Sequence, residues 1–536
     1  MKKTIVLLMA ALTISASMLA QDIIDIRFNG ASATVDIPAS ITDVTQSVTG
    51  ANVTLTSLTT TTEYIYRVSG QSADGSLVIN GGYKLTMQLA GINLTNAHGG
   101  AAIDVECGKR VAVELMEGTV NTLCDSPQGV QKAALYFKGH PEFSGAGTLT
   151  VTGKLKHAIS AKEYLELKKS VGTINVLGAV SDGIHCGRGK ADPEKNYFLM
   201  KGGAVNIFAC GSDAVDADDY GSIRIEGGSL SINVGDGVTG LDADSVLTVS
   251  GGQVNVSVTG NDAEGMKCSY HADFTGGRVD MLVKGNGSKG LKAKRATAAD
   301  GALVAGGGFV TISGGVIDIK TMGDHLFDAT KNDTTKCMPM SIDADLTMTG
   351  GEVWLTAMGE RAITHNVKGQ LTLQGGTFVP QRYRWKFDAT AYPYSMTCYA
   401  TIEGVAAAAD YTLAAFCGDE CRGLAQLLSV EGNNIYMVRV WSTKTADETI
   451  TFRCNEEATG HEQPLQGTAT FAAEAAVGTP SSPLVLKVNN ATAIRELSSS
   501  ELVGATVYNL QGRRMDSRMG LKPGLYIRNH RKMVVR

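Results

Sequence analysis

The sequence predicts an all-β protein: a right-handed parallel β-helix of about ten coils, followed by a small β-sandwich and a short β tail. Three observations predict it. Glycine pairs open a strand-like alternation repeatedly, as in GGAVNI at 202, GGSLSI at 227, GGQVNV at 251, GGRVDM at 276, GGVIDI at 314 and GGEVWL at 350. The glycines recur mostly 24 or 25 residues apart, with three longer steps of 31, 38 and 36 that carry insertions. Each period holds three short strands of period-two alternation and no helical pattern, so each coil buries its apolar positions against the next. A β-sandwich array needs about 100 residues per unit and antiparallel hairpins, which a 25-residue period disfavours.

The N-terminal MKKTIVLLMAALTISASMLA reads as a signal peptide over 1–20, with Lys2 and Lys3, a short apolar run, and Ala20 before Gln21. Export to the extracellular space or outer-membrane surface is expected, and no later run of about 18 apolar residues adds a membrane span. Residues 21–44 are expected to cap the helix, which occupies 45–380. Among 536 residues glycine is frequent (63), proline scarce (11) and 43% of side chains are apolar, which excludes collagen and disorder. A formal charge of −5 argues against a nucleic-acid-binding protein held by phosphate contacts. The ten cysteines are irregularly spaced, and Cys186 and Cys268 read as buried thiols.

Within the helix, alternation puts Val205, Ile207, Leu230, Ile232, Val254 and Val256 on one face and Asn206, Ser231 and Asn255 on the other. The second strand of each coil recurs as AIDVE (102), ALYFK (134), AISAK (158), GIHCG (183), AVDAD (214), GLDAD (240), GMKCS (265), GLKAK (290), LFDAT (326) and AITHN (362). Stacking these gives one outward column of His185, Asp216, Asp242, Lys267 and Lys292, and a second of Gly187, Asp218, Asp244, Ser269 and Lys294. Coils stand about 4.8 Å apart, so Asp216, Asp218, Asp242 and Asp244 form a square of four carboxylates.

Such a square needs compensation. Calcium is one answer, with Asp182, Asp213 and Asp219 in the adjoining turns completing a site of hard oxygen ligands. The other is a salt-bridge ladder in which Asp242 pairs with Lys267. Lys267, Lys292 and Lys294, with Lys289 in the preceding turn, continue the face and suit a sugar carboxylate or merely balance the acids. Trp354, expected to point outward, is the candidate sugar-stacking platform. GNGSKG at 285 matches a dinucleotide fingerprint but opens no helix, and His185, His325 and His365 lack zinc-ligand spacing. The crowded acids also lack the cleft-spanning pair that glycoside hydrolysis needs.

On the stretch SLVINGGYKLTMQLAGINLTNAHGGAAIDV, the SDGIH and SDAVDADD turns and the glycine-pair strands, the region 45–380 resembles a family of secreted carbohydrate-binding parallel β-helix proteins. That resemblance implies binding of cellulose-like or pectic, uronate-containing polysaccharide with calcium. The family's fold is similar to that of calcium-dependent polysaccharide lyases, in which a lysine removes the proton α to a uronate carboxylate. By that likeness Asp213, Asp216, Asp242 and Lys267 would form a lyase arrangement; a surface adhesin or scaffold with no sugar ligand is a third reading.

After GGTFVP the period stops. Strand-like stretches over 381–487 fit a β-sandwich module, in which Cys417 and Cys421 of CGDEC stand as a pair or as two thiols. In 488–536, VYNLQGRRM, KPGLYI and KMVVR read as three strands, and eight Lys or Arg face one acid over 513–536. These phrases resemble the C-terminal sorting domains recognised by the type 9 secretion machinery, which would be the tail's partner.

Overall fold

The computed structural model describes residues 23–488 except 188–193, 296–305, 360, 383–384, 386, 388, 406–407, 409–410, 431, 457–460 and a few side chains beside them; beyond 488 it describes the backbone of five short strands. The expected signal peptide lies outside the described residues. The protein is all-β, and it divides into two units, Met1–Tyr383 and Arg384–Arg536.

In the first unit, strands about one period apart pair in parallel. Thr173–Ala179 pairs with Ala204–Ile207, that strand with Ser229–Val234, and that in turn with Gln253–Val258. A second ladder runs through Tyr197–Met200, Ser222–Ile225 and Val246–Val249. The two ladders share the long strands Leu85–Thr95, His271–Val283 and Phe309–Thr321, and so count as one large sheet. A separate 13-stranded sheet carries the short strands whose outward columns the sequence laid out. The first layer is covered differently: Ile23–Asn29 pairs in parallel with Ile65–Ser72 but antiparallel with Ser32–Asp36, and Val44–Thr49 folds antiparallel onto Asn52–Ser57.

Alternation fixes which side chains fill the interior. Val205, Ile207, Leu230, Ile232, Val254 and Val256 are all buried, part of one continuous apolar core. Opposite them Asn206 donates its amide N–H to Asn175 Oδ1 of the preceding coil at 2.9 Å. Cys186 and Cys268 are buried thiols. The glycine pairs have a steric cause: Gly252 has φ +75°, and a Cβ there would lie 2.8 Å from the Gly227 backbone one coil earlier.

Two strand assignments made from sequence differ from the structure. Leu326–Asp328 (LFDAT) leaves the stack, folding antiparallel onto Asp333–Thr335, and Met338–Ile342 takes its place against Lys289–Ala293. The insertion contains its own hairpin, and MPMSI supplies the inward apolar residues instead. His365–Val367 pairs with Met340–Ile342 so that His365, not Ile363, continues the inward column.

A feature absent from the sequence reading ties the turns together. Asp236 Oδ1 accepts the N–H of Asn261 (2.6 Å), Asn261 Oδ1 that of Asn286 (2.8 Å), Asn286 Oδ1 that of Asp324 (2.8 Å) and Asp324 Oδ1 that of Arg361 (2.7 Å). Each short side chain thus satisfies a turn amide that strand pairing does not reach.

The second unit is a closed ring rather than the expected sandwich. Tyr394–Glu403, Asn433–Ser442, Glu420–Val430, Tyr411–Cys417, Ala446–Glu456, His461–Ala472 and Leu484–Val488 pair in that order, and the last returns to the first through Ala400↔Leu484. Closure follows because Leu484–Val488 has a neighbour on each side, leaving the seven strands without an open edge. Cys417 and Cys421 flank a hairpin turn as free thiols. In the last segment Val507–Asn509, Gly524–Arg528 and Arg531–Val535 are strands of a small sheet, at the three expected phrases.

Asn286→Ala removes a relay between two turns and is expected to lower unfolding stability by about 1–3 kcal/mol, read by urea denaturation; Asn286→Asp, which keeps the acceptor, should lose less.

Candidate functional site: a charged face on the stacked short strands

The register of the 13-stranded sheet aligns His185 with Asp216, Asp216 with Asp242, Asp242 with Lys267 and Lys267 with Lys292, as the sequence columns require. The column reaches earlier than the sequence reading took it, through Ser160, Tyr136 and Asp104 to Val78 and Thr54. Ladder bonds beyond the strand ends also align Asp218 with Asp244: Asp218 N–H donates to Cys186 O, and Asp244 N–H to Ala217 O.

A third column lies two residues before each inward apolar residue: His157, Asp182, Asp213, Thr239, Glu264 and Lys289. Sequence reasoning placed Asp182, Asp213 and Lys289 in adjoining turns and did not align them as a column with His157, Thr239 and Glu264; continuing each strand one residue upstream of the small residue would have done so. It brings His157 and His185 together, with rings stacked 4.4 Å apart at 14°. His157 was not among the histidines weighed from sequence, and stacking brings it to His185 from 28 residues away.

The acids do not stand as an open square. Asp182 lies between two histidines, 2.9 Å from His157 Nδ1 and 3.1 Å from His185 Nδ1, and its other oxygen accepts the Asp213 N–H at 3.2 Å. Asp216 Oδ2 is 2.7 Å from His185 Nδ1. Asp213 accepts the Thr239 N–H at 3.1 Å. Asp244 accepts the backbone N–H groups of Asp219 and Tyr220. Asp242 pairs with the Lys267 ammonium, the ion pair expected of a salt-bridge ladder. His185 Nε2 is buried without a hydrogen-bond partner and stands 3.9 Å from Asp218 Oδ2.

These partners set the protonation states. Burial raises Asp182, but His157 and His185 outweigh it and hold the carboxyl far below its usual range. Burial lowers His185, yet Asp182 and Asp216 reverse this and push it up to about 9. His157, with less carboxylate around it, is lowered by burial. Burial pushes Asp216 up to about 7 despite His185, and Asp242 up to about 6 despite Lys267. Among the described residues, three groups of side chains bring donor atoms within 4.8 Å of one another and could hold a metal ion: His157, Asp182 and His185; His185, Asp216 and Asp218; and Asp182, Asp213 and Asp216. Asp242 and Asp244 belong to none of them.

The lysines divide similarly. Burial lowers Lys267, but Asp242, with Asp213 and Glu264 behind it, holds its ammonium above the usual range, the reverse of what a proton-abstracting lysine needs. Lys292 pairs with Glu264 at 2.5 Å. Lys289 is buried, donates to Gly287 O at 3.0 Å, and is lowered by burial. Lys294 is exposed. Trp354 aligns with Asp318 and Val379, half-buried, with its indole Nε1 enclosed and without a partner.

Asp104 shows what this face does to an acid without a cation in contact. Burial, and then Glu106, push its carboxyl up to about 6 against the pull of Lys138, and its Oδ1 has no hydrogen-bond partner. A raised carboxyl pKa favours the fold below the unfolded value, and that contribution is lost as pH rises through the folded value.

Among known proteins, a family model for carbohydrate-binding domain-containing proteins matches residues 49–382. A solved structure titled as the polysaccharide lyase-like protein from C. thermocellum, in a gadolinium derivative, is similar to this chain at 16% identity and a TM-score of 0.27, over 66% of this chain and 96% of that one. No curated protein matches the sequence.

Asp104→Asn is expected to be more stable than the parent at pH 7 by about 1–2 kcal/mol, after allowance for solvent screening at a partly exposed group, and to converge with it near pH 4; thermal melts across that range check this.

Proposed function

The chain belongs to the family of carbohydrate-binding domain-containing proteins, and from that premise we propose that it binds polysaccharide through the stacked coils of its first unit. The observation that carries this reading is the extent of the family match: residues 49–382 include every column of the charged face. We read the stack as a right-handed parallel β-helix, on the strength of its parallel pairing one period apart, and the ligand class as acidic (pectic) or cellulose-like glycan. Export through the signal peptide and the sorting-type tail belongs to the same proposal. It fits a polymer-binding protein that works outside the cell.

The ion we propose for the face is calcium, at Asp182, Asp213 and Asp216. This set offers oxygen donors alone, which suits a hard cation; the two groups containing histidine do not. Burial lifts both Asp213 and Asp216 above the usual carboxylate range, so negative charge there is incompletely compensated by the chain. These residues would hold the ion, and the ion would let an acidic sugar approach a face rich in aspartate. Lyase activity has weaker support, because Lys267 is committed to Asp242.

Two measurements test the proposal. The full chain should be retarded on gels containing polygalacturonate or soluble cellulose derivatives; migration unchanged by both would sink the binding reading. Calcium should raise the melting temperature and EDTA reverse the rise, with about 2.7 kcal/mol of added stability at a hundredfold excess over Kd. Loss of that response in Asp213→Asn with Asp216→Asn supports calcium at these residues, and a parent protein indifferent to EDTA and calcium removes it.

A further inference from the structure

Among the described residues, consecutive non-glycine residues in the left-handed region occur at one place, Asp219 (φ 59°) and Tyr220 (φ 64°). For a bulky side chain this conformation is an outlier costing about 1–3 kcal/mol. The surroundings hold it from both sides. Asp244, one coil later, accepts both backbone N–H groups of the turn. Asn196, buried on the coil before, donates its side-chain N–H to Asp219 O at 3.1 Å. Gly221 N–H closes the turn on Asp218 O at 3.0 Å, and a Cβ at Gly221 would lie 2.7 Å from the Ala217 backbone.

The outcome of this bracing is a tyrosine held off the wall, 64% exposed. Asparagine or glycine would take the same turn at lower cost, and among the described residues the Tyr220 ring stacks on no aromatic or cationic side chain. A second exposed tyrosine stands on the same edge. Ser245 N–H donates to Gly221 O at 2.9 Å and Tyr270 N–H to Ser245 O at 3.1 Å, which places Tyr270 two coils from the turn, about 10 Å along the stack. Tyr270 is 44% exposed and meets Phe309 edge-on, at 5.7 Å and 68°.

We propose that Tyr220 and Tyr270 are stacking platforms for two neutral pyranose rings of one glycan chain laid across the coils. The inference rests on the carbohydrate-binding reading and adds to it the contact residues, the direction of the chain and the charge class of the sugar. Flat apolar faces with a polar rim suit a pyranose. The Asp244 carboxylate, bonded to the Tyr220 N–H, opposes a uronate there, so the ring on that platform is neutral.

Calorimetry with a cello-oligosaccharide, and with an oligogalacturonate as comparator, tests this on the full chain. Tyr220→Asn keeps a residue suited to the left-handed turn, so its melting temperature should be no lower than the parent's while affinity for the cello-oligosaccharide falls at least tenfold. Tyr220→Phe should bind as the parent does, and Tyr270→Ala should weaken binding similarly to Tyr220→Asn. If both Tyr220→Asn and Tyr270→Ala bind like the parent, the platforms are wrong and the binding reading stands. If the parent holds only the oligogalacturonate, the neutral-sugar assignment is overturned. If it holds neither, both readings fall together.

Discussion

In the stack, peptide groups of one coil bond to those aligned with them one coil away, at about 4.8 Å. A side chain therefore meets the side chain at its own position in the coils before and after, whatever the distance in sequence. Inward, this alignment needs only apolar residues of compatible volume, and valine, isoleucine and leucine supply them coil after coil. Outward, it forces together groups that would avoid one another in solution. The chemistry of the charged face follows from that enforced proximity.

Crowded acids are accommodated chiefly by the chain's own donors. Asp182 is neutralised by two histidines, Asp242 by Lys267, and Asp244 accepts turn amides from the preceding coil. The exceptions are informative. Asp216 has one imidazole to answer its charge, and burial holds its carboxyl near neutrality. His185 presents a buried nitrogen that lacks a hydrogen-bond partner, 3.9 Å from Asp218 Oδ2. The acids least answered by the chain thus lie within a few ångströms of one another instead of being spread over the square.

Much of this was legible in the sequence because a period of 24 or 25 residues, once fixed, predicts neighbours without any knowledge of angles. The column from His185 to Lys292 and the inward valines and isoleucines follow from counting. The failures have physical causes too. LFDAT matches the repeat but sits in an insertion long enough to form its own hairpin, and local pairing wins there. His157 was passed over because the repeat AISAK begins at Ala158, one residue inside the strand His157–Ala161. The bracing of Asp219 and Tyr220 was invisible, since a left-handed turn built without glycine leaves no compositional mark. The barrel, unlike the stack, closes through a pairing between its first and last strands, which no local pattern encodes.

The hairpins that open the first unit have a consequence for the molecule's behaviour among copies of itself. A column of parallel strands ends in a row of unmet backbone donors and acceptors, which would template the end of a second molecule and so grow filaments. Here the strands Ile23–Asn29 and Asn52–Ser57 are each met by an antiparallel return, Ser32–Asp36 and Val44–Thr49. Reversing strand direction breaks the repeat at the point where another coil would dock. Two short turns thus cover strand edges with which another copy of the chain would otherwise pair.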